Sequence, residues 1–144
     1  MDVATKQQLA AEAWRQMFGF LIATREHREK VLRKYDLTPG DSKALVALSA
    51  TQGQPMSALS GAWTCDPSNA TYMIDRLETR GLAERRINPE DRRQKLVVLT
   101  AEGERVKRNL RKDLDIPPPE LLSLSGAELL ALRNALSVLP VSEY

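Results

Sequence analysis

The stretch from Cys65 to Thr100 constrains this chain more than any other. Asp66-Pro67 opens a helix, because Asp at the cap can accept a bond from an unpaired backbone N–H and Pro suits the first helical position. Ala70, Met73, Ile74 and Leu77 recur at helical spacing and define a buried face. Ser68, Asn69, Thr71, Tyr72, Asp75 and Arg76 then fall on the opposite face. Gly81 supplies a left-handed residue where the helix must stop. Leu82 to Asn88 and Lys95 to Leu99 read as two short strands, and the run Pro-Glu-Asp-Arg-Arg-Gln that joins them at 89–94 is too polar for a core. A helix with an exposed hydrogen-bonding face beside a basic hairpin makes a winged helix. Such a helix can enter a DNA major groove while the hairpin tip reaches a flanking groove or the phosphates.

The flanking segments extend this reading. Met56 to Trp63 is a short helix with Leu59 and Trp63 facing inward, and Thr64-Cys65 is a tight connection. Residues 56–80 are therefore a helix-turn-helix, and the hairpin at 82–99 is its wing. Upstream, Gln52 to Pro55 is a turn, and Thr38-Pro39 caps a helix running to about Ala50. Thr5 to Lys34 carries a long helical pattern without Pro, with Ala10, Ala13, Trp14, Met17, Leu21, Val31 and Tyr35 in its apolar stripe. Downstream, Thr100 caps a helix over about 101–114 carrying Val106, Leu110 and Leu114, and Pro117, Pro118 and Pro119 stop it. Ser125-Gly-Ala-Glu128 is a capping box for a last helix ending near Leu139, apolar over a wide arc through Leu129, Leu130, Leu132, Leu136, Val138 and Leu139.

The fold class expected is mainly α with a small β-hairpin: a winged helix-turn-helix with terminal dimerisation helices. A chain of 144 residues makes one domain, 1–144, with 38–100 as the DNA-binding part and 1–36 and 101–144 as the helices that pair two copies. No apolar run approaches the roughly 18 residues that span a membrane. Met1 to Gln8 lacks the charged-then-apolar layout of a secretory signal, and one cysteine cannot form an internal disulfide. A cytoplasmic protein is the expectation. Net charge is only +2, but residues 76–112 hold twelve Lys/Arg against six Asp/Glu, the footprint of a phosphate-binding face.

At residue level, Asn69 can bond an adenine edge twice and Thr71 offers a hydroxyl and a methyl to thymine. Ser68, Tyr72 and Arg76 share their face, with Arg76 far enough along to grip a phosphate, and Ser57 opens the preceding helix. Arg92, Arg93, Gln94 and Lys95 lie at or beside the hairpin tip, while Arg85 and Arg86 contact the DNA backbone or bracket the strand. Cys65, alone between two helices, reads as a small buried hydrophobe, and His27 among Arg25, Glu26 and Arg28 reads as exposed. No His/Cys/carboxylate cluster suggests a metal, no cofactor is expected, and no glycine-rich phosphate loop or G-x-S-x-G points to an enzyme.

The segment Asp-Pro-Ser-Asn-Ala-Thr-Tyr-Met-Ile-Asp-Arg-Leu-Glu-Thr-Arg-Gly-Leu (66–82) resembles the recognition-helix segment of the MarR family of bacterial transcription regulators. Asp91-Arg-Arg-Gln-Lys-Leu-Val-Val-Leu-Thr100 is similar to that family's wing motif, D-x-R-x-x-L-x-x-L-T, and follows at the family's spacing. The resemblance implies a ligand-responsive homodimeric repressor on a pseudo-palindromic site. It implies that Arg93 enters a minor groove and that Asp91 supports the wing by pairing with Arg. It also implies a small aromatic or anionic effector between the dimerisation helices and the winged helix, where Trp14, Phe18, Leu21 and Tyr35 can line a cleft and Arg25 or Arg28 can meet an anion. Some relatives sense oxidants through a cysteine, but near the first helix and not where Cys65 lies. Two other readings use the same residues: a winged helix serving as a protein-interaction module, and a helical protein that binds small molecules without a DNA role.

Overall fold

The computed structural model describes residues 1–142. In chain order the elements are α1 (Val3–Ala23), α2 (Arg25–Lys34), α3 (Pro39–Ala47), β1 (Gln54–Pro55), α4 (Met56–Trp63), α5 (Pro67–Thr79), β2 (Ala83–Ile87), β3 (Lys95–Leu99), α6 (Ala101–Leu114), a 3-10 turn (Pro119–Ser123) and α7 (Gly126–Ser137). The fold is mainly helical, as the sequence predicts.

The core forms where apolar periodicity is strongest. Leu45, Leu48, Leu59, Ile74, Leu77, Val97, Leu99 and Leu110 are almost fully buried, so α3, α4, α5, α6 and the sheet share one apolar centre. The ends of these elements follow the capping rules. Thr38 and Asp41 form a reciprocal capping box at α3. Past α5, Gly81 is left-handed (φ 71), its N–H donates to Glu78 O, and Leu82 N–H donates to Leu77 O, which closes the helix in a Schellman motif. Thr100 caps α6 by accepting from Gly103 N–H at 3.0 Å, and its hydroxyl donates to Gly81 O at 2.6 Å, so α6 starts directly on the α5–β2 corner.

Four local readings are corrected. The first helical pattern breaks at Thr24, where the hydroxyl donates to Phe20 O at 2.7 Å and ψ opens to 11°, so two helices replace one. The helix from Pro39 stops at Ala47 because Leu48 turns extended to enter the core. The sheet has three strands in the order β1-β3-β2, all antiparallel: the expected turn at 52–55 contributes Gln54 and Pro55 opposite Val97 and Leu96. Asp66 occupies the cap of α5 without a side-chain bond; its backbone carbonyl takes the first helical bonds, from Asn69 and Ala70 N–H.

The outer helices differ from the rest. Neither α1 nor α7 buries a single residue in this chain. Trp14, Phe18, Leu21 and Ile22 on α1 and Leu130 and Leu136 on α7 are exposed, and Trp14 stacks on Phe18 with ring centroids 6.2 Å apart.

Candidate nucleic-acid interface

α5 is the second helix of the helix-turn-helix, and its two faces separate cleanly. Ala70, Met73, Ile74 and Leu77 are buried, while Ser68, Asn69, Thr71, Tyr72 and Asp75 are exposed. The left-handed Thr64 (φ 51) makes the turn from α4. Ser57, Ser60, Gly61, Thr64 and Asn69 border a shallow open concavity between α4 and α5, and Cys65 borders it too, half-buried and packed against the core.

The hairpin is tied to α5 and ordered at its tip. Arg85 of β2 reaches Asp75 and Glu78 of α5, each at 2.7 Å, which brackets the strand against the helix. At the tip, Asn88 N–H donates to Gln94 O and Asn88 Nδ2 to Gln94 Oε1, both at 3.0 Å. Gln94 is thereby half-buried and engaged in the hairpin itself. Asp91 Oδ1 accepts from Arg93 N–H at 3.0 Å. The expected support by Asp91 is thus an Asx-type turn on the backbone of Arg93 and not a pairing with a guanidinium, since the side chain closes its own turn most readily two residues on. Asn88 escaped the sequence reading; its signal is the Asn-Pro pair that opens the loop.

The cations sort into two sets. Arg76 Nε and Nη2 grip Asp41 Oδ1 and Oδ2, both at 2.9 Å, and its guanidinium lies 5.9 Å from the Tyr72 ring centre. Asp41 is 1% exposed, so this fork neutralises a buried charge. The Arg76 bonds hold the Asp41 carboxyl below its usual range, with the Thr38 bonds adding to the effect against burial. Arg80 donates to Tyr35 O and Asp36 O, Arg86 pairs with Glu84, and Arg105 pairs with Glu102. Arg92, Arg93 and Lys95 form no ion pair among the described residues, and all three are exposed. Part of the positive charge that the sequence concentrates in 76–112 is therefore answered within the protein, while Arg92, Arg93 and Lys95 on the wing and Arg108 and Lys112 on α6 stay exposed.

The residues expected around an effector are not drawn together in one chain. Trp14, Phe18 and Leu21 face outward on α1. Arg25 pairs with Glu29 at 2.6 Å, and Arg28 donates to Leu21 O at 2.5 Å and Thr24 Oγ1 at 3.1 Å. The Tyr35 hydroxyl donates to Asp113 at 2.6 Å, and its ring packs against the core. His27 is half-buried rather than exposed, because its Nε2 bonds Ile116 O at 2.8 Å across to the segment after α6. Among the described residues there is no cluster of three or more His, Cys, Asp or Glu placed to hold a metal, and no helix is long and apolar enough to cross a membrane.

A two-helix unit with a polar exposed second helix, followed by an antiparallel wing, defines the winged helix-turn-helix class. Residues 37–95 match the model of the MarR family. It is similar to the transcriptional regulator HosA of Escherichia coli O111:H-, 35% identical over 71 residues, which are 49% of this chain and 53% of HosA. The chain thus spans about half the length of that curated relative. Among solved structures it is similar to wild-type apo MarR from E. coli, with a TM-score of 0.70 at 26% identity over 88% of this chain and 96% of that one. It shares its fold with a mutant of S. aureus MepR bound to an oligodeoxyribonucleotide, with a TM-score of 0.64 at 20% identity over 85% and 93% of the two chains.

Proposed function

We propose that this protein is a non-enzymatic, DNA-binding transcription regulator of the cytoplasm, acting as a homodimer on a pseudo-palindromic operator and releasing it when a small aromatic or anionic effector binds. The observation that carries the reading is the pairing pattern of the cations. Arg92, Arg93 and Lys95 are left unpaired on an ordered hairpin, beside an α5 face of Ser68, Asn69, Thr71 and Tyr72 that is polar and exposed. A guanidinium suits a narrow, negatively polarised minor groove, and short polar side chains suit major-groove edges. The family's wing motif adds support for Arg93, and the oligonucleotide-bound MepR adds support for DNA as the partner.

The test compares three proteins on the best duplex selected from a random pool and on a shuffled control. Arg93→Ala is expected to weaken binding about tenfold or more per half-site with folding unchanged, since an exposed loop side chain carries little core energy. Asn69→Ala is expected instead to relax base preference at particular positions. Equal affinity of Arg93→Ala and the parent would show that the wing does not engage DNA.

Dimerisation is supported by α1 and α7, which expose aromatic and Leu-rich faces and have no fully buried side chain within one chain. Two-fold symmetry then sets half-sites about 10 bp apart. Leu130→Glu with Leu136→Glu is expected to yield a folded monomer in sedimentation, because both side chains are exposed in the single chain and would bury charge only in a pair. A parent protein that sediments as a monomer at micromolar concentration would defeat the dimer. Effector control is supported by the outward aromatic pair of α1, and its test is a screen of aromatic acids for compounds that weaken binding to the selected duplex.

A further inference from the structure

The joint between α2 and α3 is gripped from two sides. A helix leaves its last carbonyls without intrahelical partners, at the negative end of its dipole. Arg80, at the end of α5, answers two carbonyls beyond the end of α2: Nη1 donates to Asp36 O at 2.5 Å and Nη2 to Tyr35 O at 2.7 Å. One turn earlier on α5, Arg76 grips Asp41 in the first turn of α3. From the other side, Asp113 of α6 accepts from the Tyr35 hydroxyl and from Lys34 Nζ, each at 2.6 Å. Between these grips Asp36 is left-handed at φ 52, a conformation that side-chain-bearing residues seldom adopt. Residues 34–36 are therefore the place where α2, α6 and α5 meet through directed polar bonds.

We propose that Arg80 is a positioning residue for DNA recognition: by clasping the Tyr35 and Asp36 carbonyls it fixes the angle at which α5 is presented from α2 and α6, without touching the duplex. The inference rests on the DNA-binding reading above. The lever is the helix itself. α5 has 13 residues and is about 20 Å long, and Arg80 holds the end away from Ser68 and Asn69. A tilt of about 10° about the Arg80 end moves those two residues by about 3 Å, the length of a hydrogen bond. Two bonds from an exposed guanidinium to carbonyls add little to folding stability, so their consequence lies in direction more than in energy.

The experiment measures the ratio of affinities for a duplex enriched by the parent chain from a random pool and for a shuffled duplex of the same composition. Arg80→Ala is expected to lower that ratio about tenfold or more while the affinity for shuffled DNA and its salt slope stay unchanged. Arg80→Lys can reach one carbonyl but not both, and is expected to recover part of the ratio. Tyr35→Phe removes the hydroxyl bond to Asp113 without altering α5, and is expected to lower the ratio by a smaller factor. An unchanged ratio in Arg80→Ala overturns the inference, as does an equal loss on both duplexes with a shallower salt slope, which would make Arg80 a phosphate contact. If Arg80→Ala fails to fold, an unchanged ratio in both Arg80→Lys and Tyr35→Phe overturns it equally. A parent that enriches no duplex overturns the DNA-binding reading and the inference with it, whereas an enriching parent with an unchanged variant ratio overturns the inference alone.

Discussion

Raising salt from 50 to 200 mM is expected to weaken binding to the selected duplex by about three decades. Each phosphate neutralised by a cation contributes about −0.9 to the slope of log affinity against log salt. The structure leaves Arg92, Arg93 and Lys95 without ion pairs on each wing, while Arg76, Arg80, Arg85, Arg86 and Arg105 already hold protein partners. The two wings of the proposed dimer would then meet about six phosphates or groove-floor equivalents, for a slope near −5, and about three decades would follow across a fourfold change in salt. The measurement is a series of binding curves at fixed temperature and pH. A slope of about −9 or steeper would mean that cations beyond the wing reach DNA, such as Arg108 and Lys112 of α6 or arginines released from their partners. A nearly flat dependence would remove the electrostatic part of the proposed function altogether.

Gly103→Ala is expected to be the most damaging single methyl in the protein. A Cβ built at Gly103 stands 1.9 Å from Leu82 O and 2.8 Å from its carbonyl carbon, and both are backbone atoms that cannot rotate away. The first turn of α6 must retreat by more than about 1 Å, the margin to ordinary contact. That retreat pulls Thr100 from Leu82 O, to which its N–H donates at 3.1 Å, and from Gly81 O. Overpacking against an unyielding partner costs about 3 kcal/mol, which for a chain of this size lowers Tm by about 6–12 °C in a thermal melt. Gly61→Ala is the matched control. Gly61 lies inside α4 with nothing within 4 Å of the added Cβ, so this change is expected to leave Tm equal or slightly higher, as Ala replaces Gly in a helix. A Gly103→Ala melt indistinguishable from the parent would mean that α6 does not sit on the α5–β2 corner as closely as described.

What could be read from the sequence depended on the range of the signal. The buried face of α5, its stop at Gly81 and the start of α6 at Thr100 follow from local rules, and the structure agrees with each of them. β1 carried no such signal. It is two residues long, contains Pro, and exists only because Val97 and Leu96 lie opposite; a proline is tolerated there because the strand is at the sheet edge. The site divides in the same way. That Ser68, Asn69, Thr71 and Tyr72 share an outward face was legible from helical spacing. That Arg76 neutralises Asp41 was not, because the partners lie 35 residues apart and neither position announces the other. Arg85 with Asp75 and Glu78, and Arg80 with the carbonyls at 35 and 36, are further cases. Summed charge along a sequence counts such cations as available, whereas the fold decides which of them face solvent without a partner.

A helix of 21 residues with no fully buried side chain, such as α1, gains little from packing within one chain, and in water such helices are marginal. The same holds for the 12 residues of α7. If a second chain covers these faces, protein concentration becomes a variable of secondary structure as well as of assembly. On dilution both ends would melt as the chains part, while the apolar centre shared by α3, α4, α5, α6 and the sheet would persist. The amount of helix in a cell would then report how much of the protein has found its partner.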